Sequence, residues 1–160
     1  MKYYTILFFS IFLMLSFFSC KDEYTICGQS KIVVFKLGFY ANGELPSAVP
    51  SLTIGLVGGT YIYNKKQNLY NAAFSINPTV DSAAYFIKLA DNLPADTLTI
   101  VYTSQSVLIS ADCGSVYTNY ISRAYCTKNT IDSIKINDAA INLTGYENVK
   151  IYHWFVIAAT

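Results

Sequence analysis

The stretch KIVVFKLGFY, residues 31–40, decides the fold class. Val33, Phe35, Leu37 and Phe39 recur at every second residue, while Lys36 and Gly38 fall between them. A period of two belongs to a strand with one buried wall, whereas a helix would bring apolar residues round every three or four. The ANGELP that follows supplies turn chemistry in Asn42, Gly43 and Pro46.

The same grammar runs through the rest of the chain. SLTIGLVGGTYIYN, residues 51–64, has two extended runs around Gly58 and Gly59, a pair suited to the positive φ of a tight hairpin. NAAFSINP closes at Pro78, and SAAYFIKLA gives a further strand. DTLTIVYTSQSVLIS, residues 96–110, predicts two strands that reverse at Thr103 to Ser106. Within it Leu98, Ile100 and Tyr102 face one way, and Thr97, Thr99 and Val101 the other. Ile134 and Ile136 oppose Ser133 and Lys135, and the last run places Val149, Ile151, His153, Phe155 and Ile157 on one side. The best helical candidate, Thr118 to Ala124, is rich in tyrosine and isoleucine, which suit strands better. About eight or nine strands then predict an all-β protein. The expected architecture is an antiparallel β-sandwich, immunoglobulin-like with Greek-key connections; a closed barrel is the alternative that period and spacing do not separate from it.

A chain of 160 residues is one domain by length. Its 11 bases and 10 acids nearly cancel, with no basic cluster larger than Lys65-Lys66, so nucleic acid is not an expected partner. The single histidine, His153, removes most histidine-based metal sites and acid–base schemes; on the apolar side of its strand it reads as a buried or edge residue with no catalytic role.

The N-terminus reads as an address. Lys2 and the apolar run Tyr3 to Phe18 form a signal peptide too short to span a bilayer. FFSC, ending at Cys20, resembles a bacterial lipobox, which implies that Cys20 becomes the lipidated first residue of the mature protein. Buried acyl chains, at about 0.8 kcal/mol per methylene, would hold it stably on a membrane. Lys21, Asp22 and Glu23 resemble the lipoprotein export signal of Bacteroidetes, which implies display on the outer face of the outer membrane. The expected organisation is a signal peptide over 1–19, a lipidated tether over 20–30 and a β-sandwich domain over 31–160.

The order of features is also informative: Cys27 before a strand ending in FY, then DTLTIVY, ADCG, TIDSIKI and ENVKIY. It resembles an uncharacterised family of short Bacteroidetes lipoproteins, which implies an all-β periplasmic or surface lipoprotein and brings no established activity. That resemblance also favours a disulfide between Cys27 and Cys113, with Cys113 to Cys126 as the rival pairing. Closing a loop of about 86 residues would stabilise by about 4–5 kcal/mol in the chain-entropy model.

Candidate functional residues are few. Tyr61 and Tyr63 on one side of the hairpin strand, with Tyr152 and Trp154 on the outer side of the last strand, form a candidate aromatic face for a glycan or an envelope protein. The plainer account is that tyrosine is a favoured strand residue. Ser82, Thr97 and Ser133 each follow an aspartate in a triplet resembling the Bacteroidetes O-glycosylation motif, or else simply begin strands after turns. No catalytic, cofactor-binding or metal-binding motif is present, and GLVGG lacks the spacing of a phosphate loop. The expected function is a non-catalytic binding or assembly module, membrane-anchored by its lipid. The opposing class is a periplasm-facing hydrolase working through paired acids such as Asp91 and Asp96.

Overall fold

Phe35, Leu37 and Phe39 are each fully buried, as a two-residue period requires, and Lys36 and Tyr40 look outward. They belong to a computed structural model that describes residues 32–41, 43–110 and 113–154. The signal segment 1–19 and the tether 20–30, with Cys20, Lys21, Asp22, Glu23 and Cys27, lie outside the described residues, as do Phe155 and Ile157.

Among the described residues the chain is all strand and turn, with no helix. The strands are β1 (Phe35–Ala41), β2 (Leu45–Pro46), β3 (Leu52–Leu56), β4 (Tyr61–Lys66), β5 (Asn71–Phe74), β6 (Ser82–Lys88), β7 (Asp96–Ser110), β8 (Gly114–Cys126), β9 (Ile131–Ile136), β10 (Ala140–Ile141) and β11 (Val149–His153). One sheet has the order β2-β1-β11-β9, with β5 also paired to β1; the other runs β10-β8-β7-β6-β3-β4. Both contribute to one core: Phe35, Phe39 and Ile151 from the first meet Ile54, Ile87, Leu98 and Ile100 from the second.

Two expectations are corrected. Pairing is not wholly antiparallel, because β1 and β11 run parallel, from Leu37 opposite Val149 to Ala41 opposite His153. Periodicity reports which face of a strand is buried but carries nothing about the direction of its partner. Secondly, DTLTIVYTSQSVLIS is a single strand of 15 residues. Thr103, Ser104, Gln105 and Ser106 do not turn; they pair with Tyr120, Asn119, Thr118 and Tyr117 of β8. The reversal comes later, before Gly114, whose φ of +72° supplies the left-handed backbone a hairpin uses. Since β6 pairs through Ser82–Ile87 with Asp96–Val101, and β10 pairs with β8 at Asn119 and Tyr120, β7 and β8 continue as a two-stranded ribbon from Gln105 and Thr118 outward.

Buried polar side chains hold the connections. Asp96, fully buried, accepts from the Thr127 hydroxyl (2.7 Å) and Asn129 N–H (2.7 Å) on one oxygen. Its other oxygen accepts from Thr130 N–H (2.7 Å), the Thr130 hydroxyl (2.6 Å) and Ile131 N–H (3.0 Å). The carboxylate thus pins the loop between β8 and β9 to the start of β7, with both of its oxygens hydrogen-bonded. Asn148 does the same before β11: its side-chain oxygen accepts Lys36 N–H at 2.9 Å, and its Nδ2 donates to the carbonyls of Asp138 and Ala140, each at 3.0 Å.

Candidate functional site

β9 is an edge strand, and the ladder it shares with β11 brings Ser133 directly opposite Tyr152. Immediately beyond, the register shifts so that His153 pairs with Ile131, leaving Asp132 as the extra residue of a bulge. A bulge at a sheet edge re-aims the side chain it carries, and here Asp132 and Ser133 are both exposed. They line an open cleft of 430 Å³ with Gly43, Glu44, Tyr152, His153 and Trp154. His153 contributes from a buried position, and Trp154, the single tryptophan of the chain, is 63% exposed.

Outward-facing residues of β1 and β11 extend the site. Tyr40 lies opposite Tyr152, their ring centroids 5.7 Å apart, and the Lys150 ammonium sits 4.8 Å from the centre of the Tyr40 ring. Such a contact adds a cation–π attraction to the aromatic pair. The Tyr40 hydroxyl donates to the Glu147 carboxylate at 3.0 Å, and burial together with Glu147 pushes this phenol up to about 12. Gly38 makes the arrangement feasible, since a Cβ there would run into the Glu147 carboxylate. Glu44 crosses the rim, 3.6 Å from the Lys150 ammonium and 3.7 Å from that of Lys135, and accepts from the Tyr152 hydroxyl at 3.3 Å. Lys150, then Lys135, hold the Glu44 carboxyl below the usual carboxylate range.

The arrangement offers flat aromatic surface at Tyr152 and Trp154 next to carboxylate and hydroxyl groups at Glu44, Asp132 and Ser133. That combination can stack on the C–H face of a sugar ring while accepting hydrogen bonds from its hydroxyls, or seat an amphipathic side chain of a partner.

Not all the predicted residues join it. Tyr61 and Tyr63 lie on β4, an edge of the other sheet, so the four aromatics do not form one face. Tyr61 packs edge-on against Phe86 at 5.6 Å. Tyr63 is structural: its hydroxyl donates to the Ala73 carbonyl and accepts the Ala73 N–H, both at 3.0 Å, tying β4 to β5 of the opposite sheet. Of the aspartate-led triplets, Ser82 and Ser133 are exposed, each donating to the carboxylate before it at 3.4 and 3.1 Å. Thr97 is half-buried, and the Asp96 before it is consumed by the loop latch.

The carboxylates proposed for hydrolysis do not act as a pair. Asp91 is exposed, accepts from the Ser51 hydroxyl at 2.9 Å and sits 3.4 Å from Lys65, while Asp96 is buried among five protein donors. Cys126 carries a free thiol, which overturns the rival pairing with Cys113. That thiol is no nucleophile at neutral pH, because burial and the Asp96 charge push it up to about 12. Cys113 is buried at the tip of the ribbon; its predicted partner, Cys27, lies outside the described residues.

Tyr40, Glu44 and Glu147 were absent from the predicted site. Tyr40 had a signal, since it shares the outward side of β1 with Lys36 and Gly38. The two glutamates had none, because they reach the sheet from loops.

The chain belongs to the DUF6452 family, a family of unknown function that matches residues 51–153. The match runs from β3 to β11, includes Asp132, Ser133, Tyr152 and His153, and stops one residue short of Trp154. No curated protein and no solved structure matches the chain.

Proposed function

We propose that this member of the DUF6452 family is a lipoprotein, anchored through Cys20 to the outer membrane and directed to the cell exterior by Lys21, Asp22 and Glu23. Its domain is an immunoglobulin-like β-sandwich that acts as a non-catalytic binding or assembly module. In this reading the cleft at Tyr152 and Trp154 engages a glycan or an envelope protein. The observation that carries it is the pairing of an exposed tryptophan with Tyr152 and Ser133 at an open sheet edge. An isolated large aromatic on a surface needs no explanation, but one grouped with acceptors in a cleft fits a ligand.

The bridge between Cys27 and Cys113 belongs to the same proposal, supported by the free thiol of Cys126. So does O-glycosylation at Ser82 and Ser133, which are exposed, in preference to the half-buried Thr97.

Metabolic labelling with a clickable palmitate, combined with protease shaving of intact cells, tests the anchor. Wild type should be labelled and shaved, and Cys20→Ala should lose the label. Label persisting in that variant would reject lipidation at Cys20, and labelled protein that resists shaving would place the domain on the periplasmic side. A glycan array and an envelope pull-down, each with wild type and Trp154→Ala, test the cleft. Equal capture by both proteins would remove Trp154 from the binding surface.

A further inference from the structure

The residues lining the Tyr152–Trp154 cleft include two carboxylates, Glu44 and Asp132, and neither a lysine nor an arginine. The two acids stand in different electrical surroundings. Glu44 is matched by two ammonium groups, Lys150 at 3.6 Å and Lys135 at 3.7 Å. The remaining ion pair among the described residues joins Lys65 to Asp91, so none of them reaches Asp132. The Asp132 carboxylate accepts from the Ser133 hydroxyl at 3.1 Å, and a neutral donor leaves its charge in place.

The backbone explains why this charge is presented to the cleft. Asp132 is the residue that the β9–β11 register skips, and a bulge at a sheet edge turns its side chain away from the regular ladder. Gly43, on the loop between β1 and β2, leaves the approach open: its φ is +93°, and a Cβ built there meets nothing within 4 Å. Tyr152 and Trp154 are two residues apart, about 7 Å along an extended chain, and bring two aromatic rings to the same cleft. A ring face attracts a cation as well as a C–H surface. The neighbouring Tyr40 ring already has its cation in Lys150, whereas Trp154 stands exposed beside Asp132.

We infer that the ligand of this cleft is a cationic sugar, a glycan carrying unacetylated amino groups, whose ring lies on Trp154 and Tyr152 while its ammonium donates to the Asp132 carboxylate. This rests on the reading of the cleft as a glycan site and adds the charge of the ligand to it. On a sugar the ammonium is fixed to the ring, so stacking and the charged hydrogen bond orient one another. A lysine side chain carries the same charge on a flexible four-carbon stem and has no flat face to set against the rings, so it fits half of the site at a greater cost in rotamer freedom. N-acetylation removes the charge and leaves Asp132 without a counter-ion from the ligand. A hydrogen bond to a charged group at such a site corresponds to a preference of about tenfold for the free amine.

Trp154 is the single tryptophan of the chain, so its emission reports on the cleft directly. The full chain in detergent, its intact mass showing Ser133 unmodified, is titrated with a short oligomer of β-linked glucosamine, with the same oligomer fully N-acetylated, and with tetralysine. The amine oligomer should bind about tenfold more tightly than the acetylated one. Asp132→Asn should bring the two to within about twofold, and Asp132→Glu, which keeps the charge, should keep the preference. Equal binding of the two oligomers by the wild type would overturn the inference and leave the glycan reading standing, whereas no change in Trp154 emission with either would overturn both. A preference that survives Asp132→Asn would place the ammonium elsewhere and overturn the inference. Tetralysine binding as tightly as the amine oligomer would do the same, by making the charge that of a protein partner.

Discussion

Thr130 directs both its backbone N–H and its hydroxyl at one oxygen of Asp96, at 2.7 and 2.6 Å. Hydrogen bonds to a charged group contribute about 1.5–3 kcal/mol each, and a buried donor left without an acceptor costs about as much. Asp96→Asn sets an amide nitrogen against donors it cannot satisfy, so urea denaturation should show a loss of roughly 3 kcal/mol or more. Thr130→Val removes only the hydroxyl and should cost about 1–3 kcal/mol. An Asp96→Asn protein as stable as wild type would rule out the latch.

The same carboxylate gives a pH dependence. Burial alone would raise the Asp96 carboxyl, but hydrogen bonds from Thr130, Asn129 and Thr127 outweigh burial and hold it below the usual carboxylate range. The folded state therefore binds this proton less readily than the unfolded chain does. Its contribution is fully present above the unfolded value of about 3.9 and is lost as pH falls through the lower folded value. The stability gap between wild type and Asp96→Asn should accordingly be constant above about pH 5 and shrink below about pH 4. A gap that widens on acidification would reverse the sign of the shift.

Tyrosine ionisation probes both the core and the outer face. Tyr85 is pushed up to about 12 by burial, with Tyr102 adding to it, and Tyr40 to about 12 by burial and then Glu147. In both, folding favours the neutral phenol, so their contribution to stability is intact below about pH 10 and is lost as pH rises through about 12. Absorbance titration near 295 nm should show a late-ionising fraction that shrinks in Tyr40→Phe and in Tyr85→Phe. Titration of Tyr40 alongside the exposed tyrosines would argue against its bond to Glu147.

How legible all this was depends on which interaction set each feature. β1 and β11 could be read because Phe35, Leu37, Phe39, Val149 and Ile151 alternate against a single buried wall. The β3–β4 hairpin could be read from Gly58, whose φ is +76°. Thr103 to Ser106 misled because a run of four polar residues in a strand beyond the reach of β6 looks like a turn, although it contains neither glycine nor proline. Ser133 and Tyr152 appeared as two unrelated features, 19 positions apart, because only the β9–β11 register places them together. The separation of Tyr63 from that face was equally invisible, being set by which sheet its strand joined.

Gly38 supplies a test of the outer face that leaves the core alone. Its backbone lacks the positive φ that would bar a side chain, so alanine meets only a problem of space. The added methyl would strike the Glu147 carboxylate and come within 2.8 Å of the Tyr40 ring. Overpacking of this kind costs about 1–3 kcal/mol. Gly38→Ala should also return Tyr40 toward ordinary ionisation, since Glu147 can no longer lie beneath its hydroxyl. Crowding without that spectroscopic change would show that Glu147 moves with Tyr40 and keeps the bond.

Tyr152 and Trp154 should part company when each is replaced by alanine. Trp154 is 63% exposed, and surface substitutions change stability by about 0.5 kcal/mol or less, so Trp154→Ala should stay within that range of wild type. Tyr152 packs on Tyr40 and donates to Glu44, so Tyr152→Ala should cost about 1 kcal/mol. If the cleft binds sugar by stacking, both variants lose capture, with losses of about 1.5–3 kcal/mol typical for a stacked anchor. A stability loss in Tyr152→Ala with unchanged capture in both would leave the Tyr40–Tyr152 pair as a sheet-stabilising contact and nothing more.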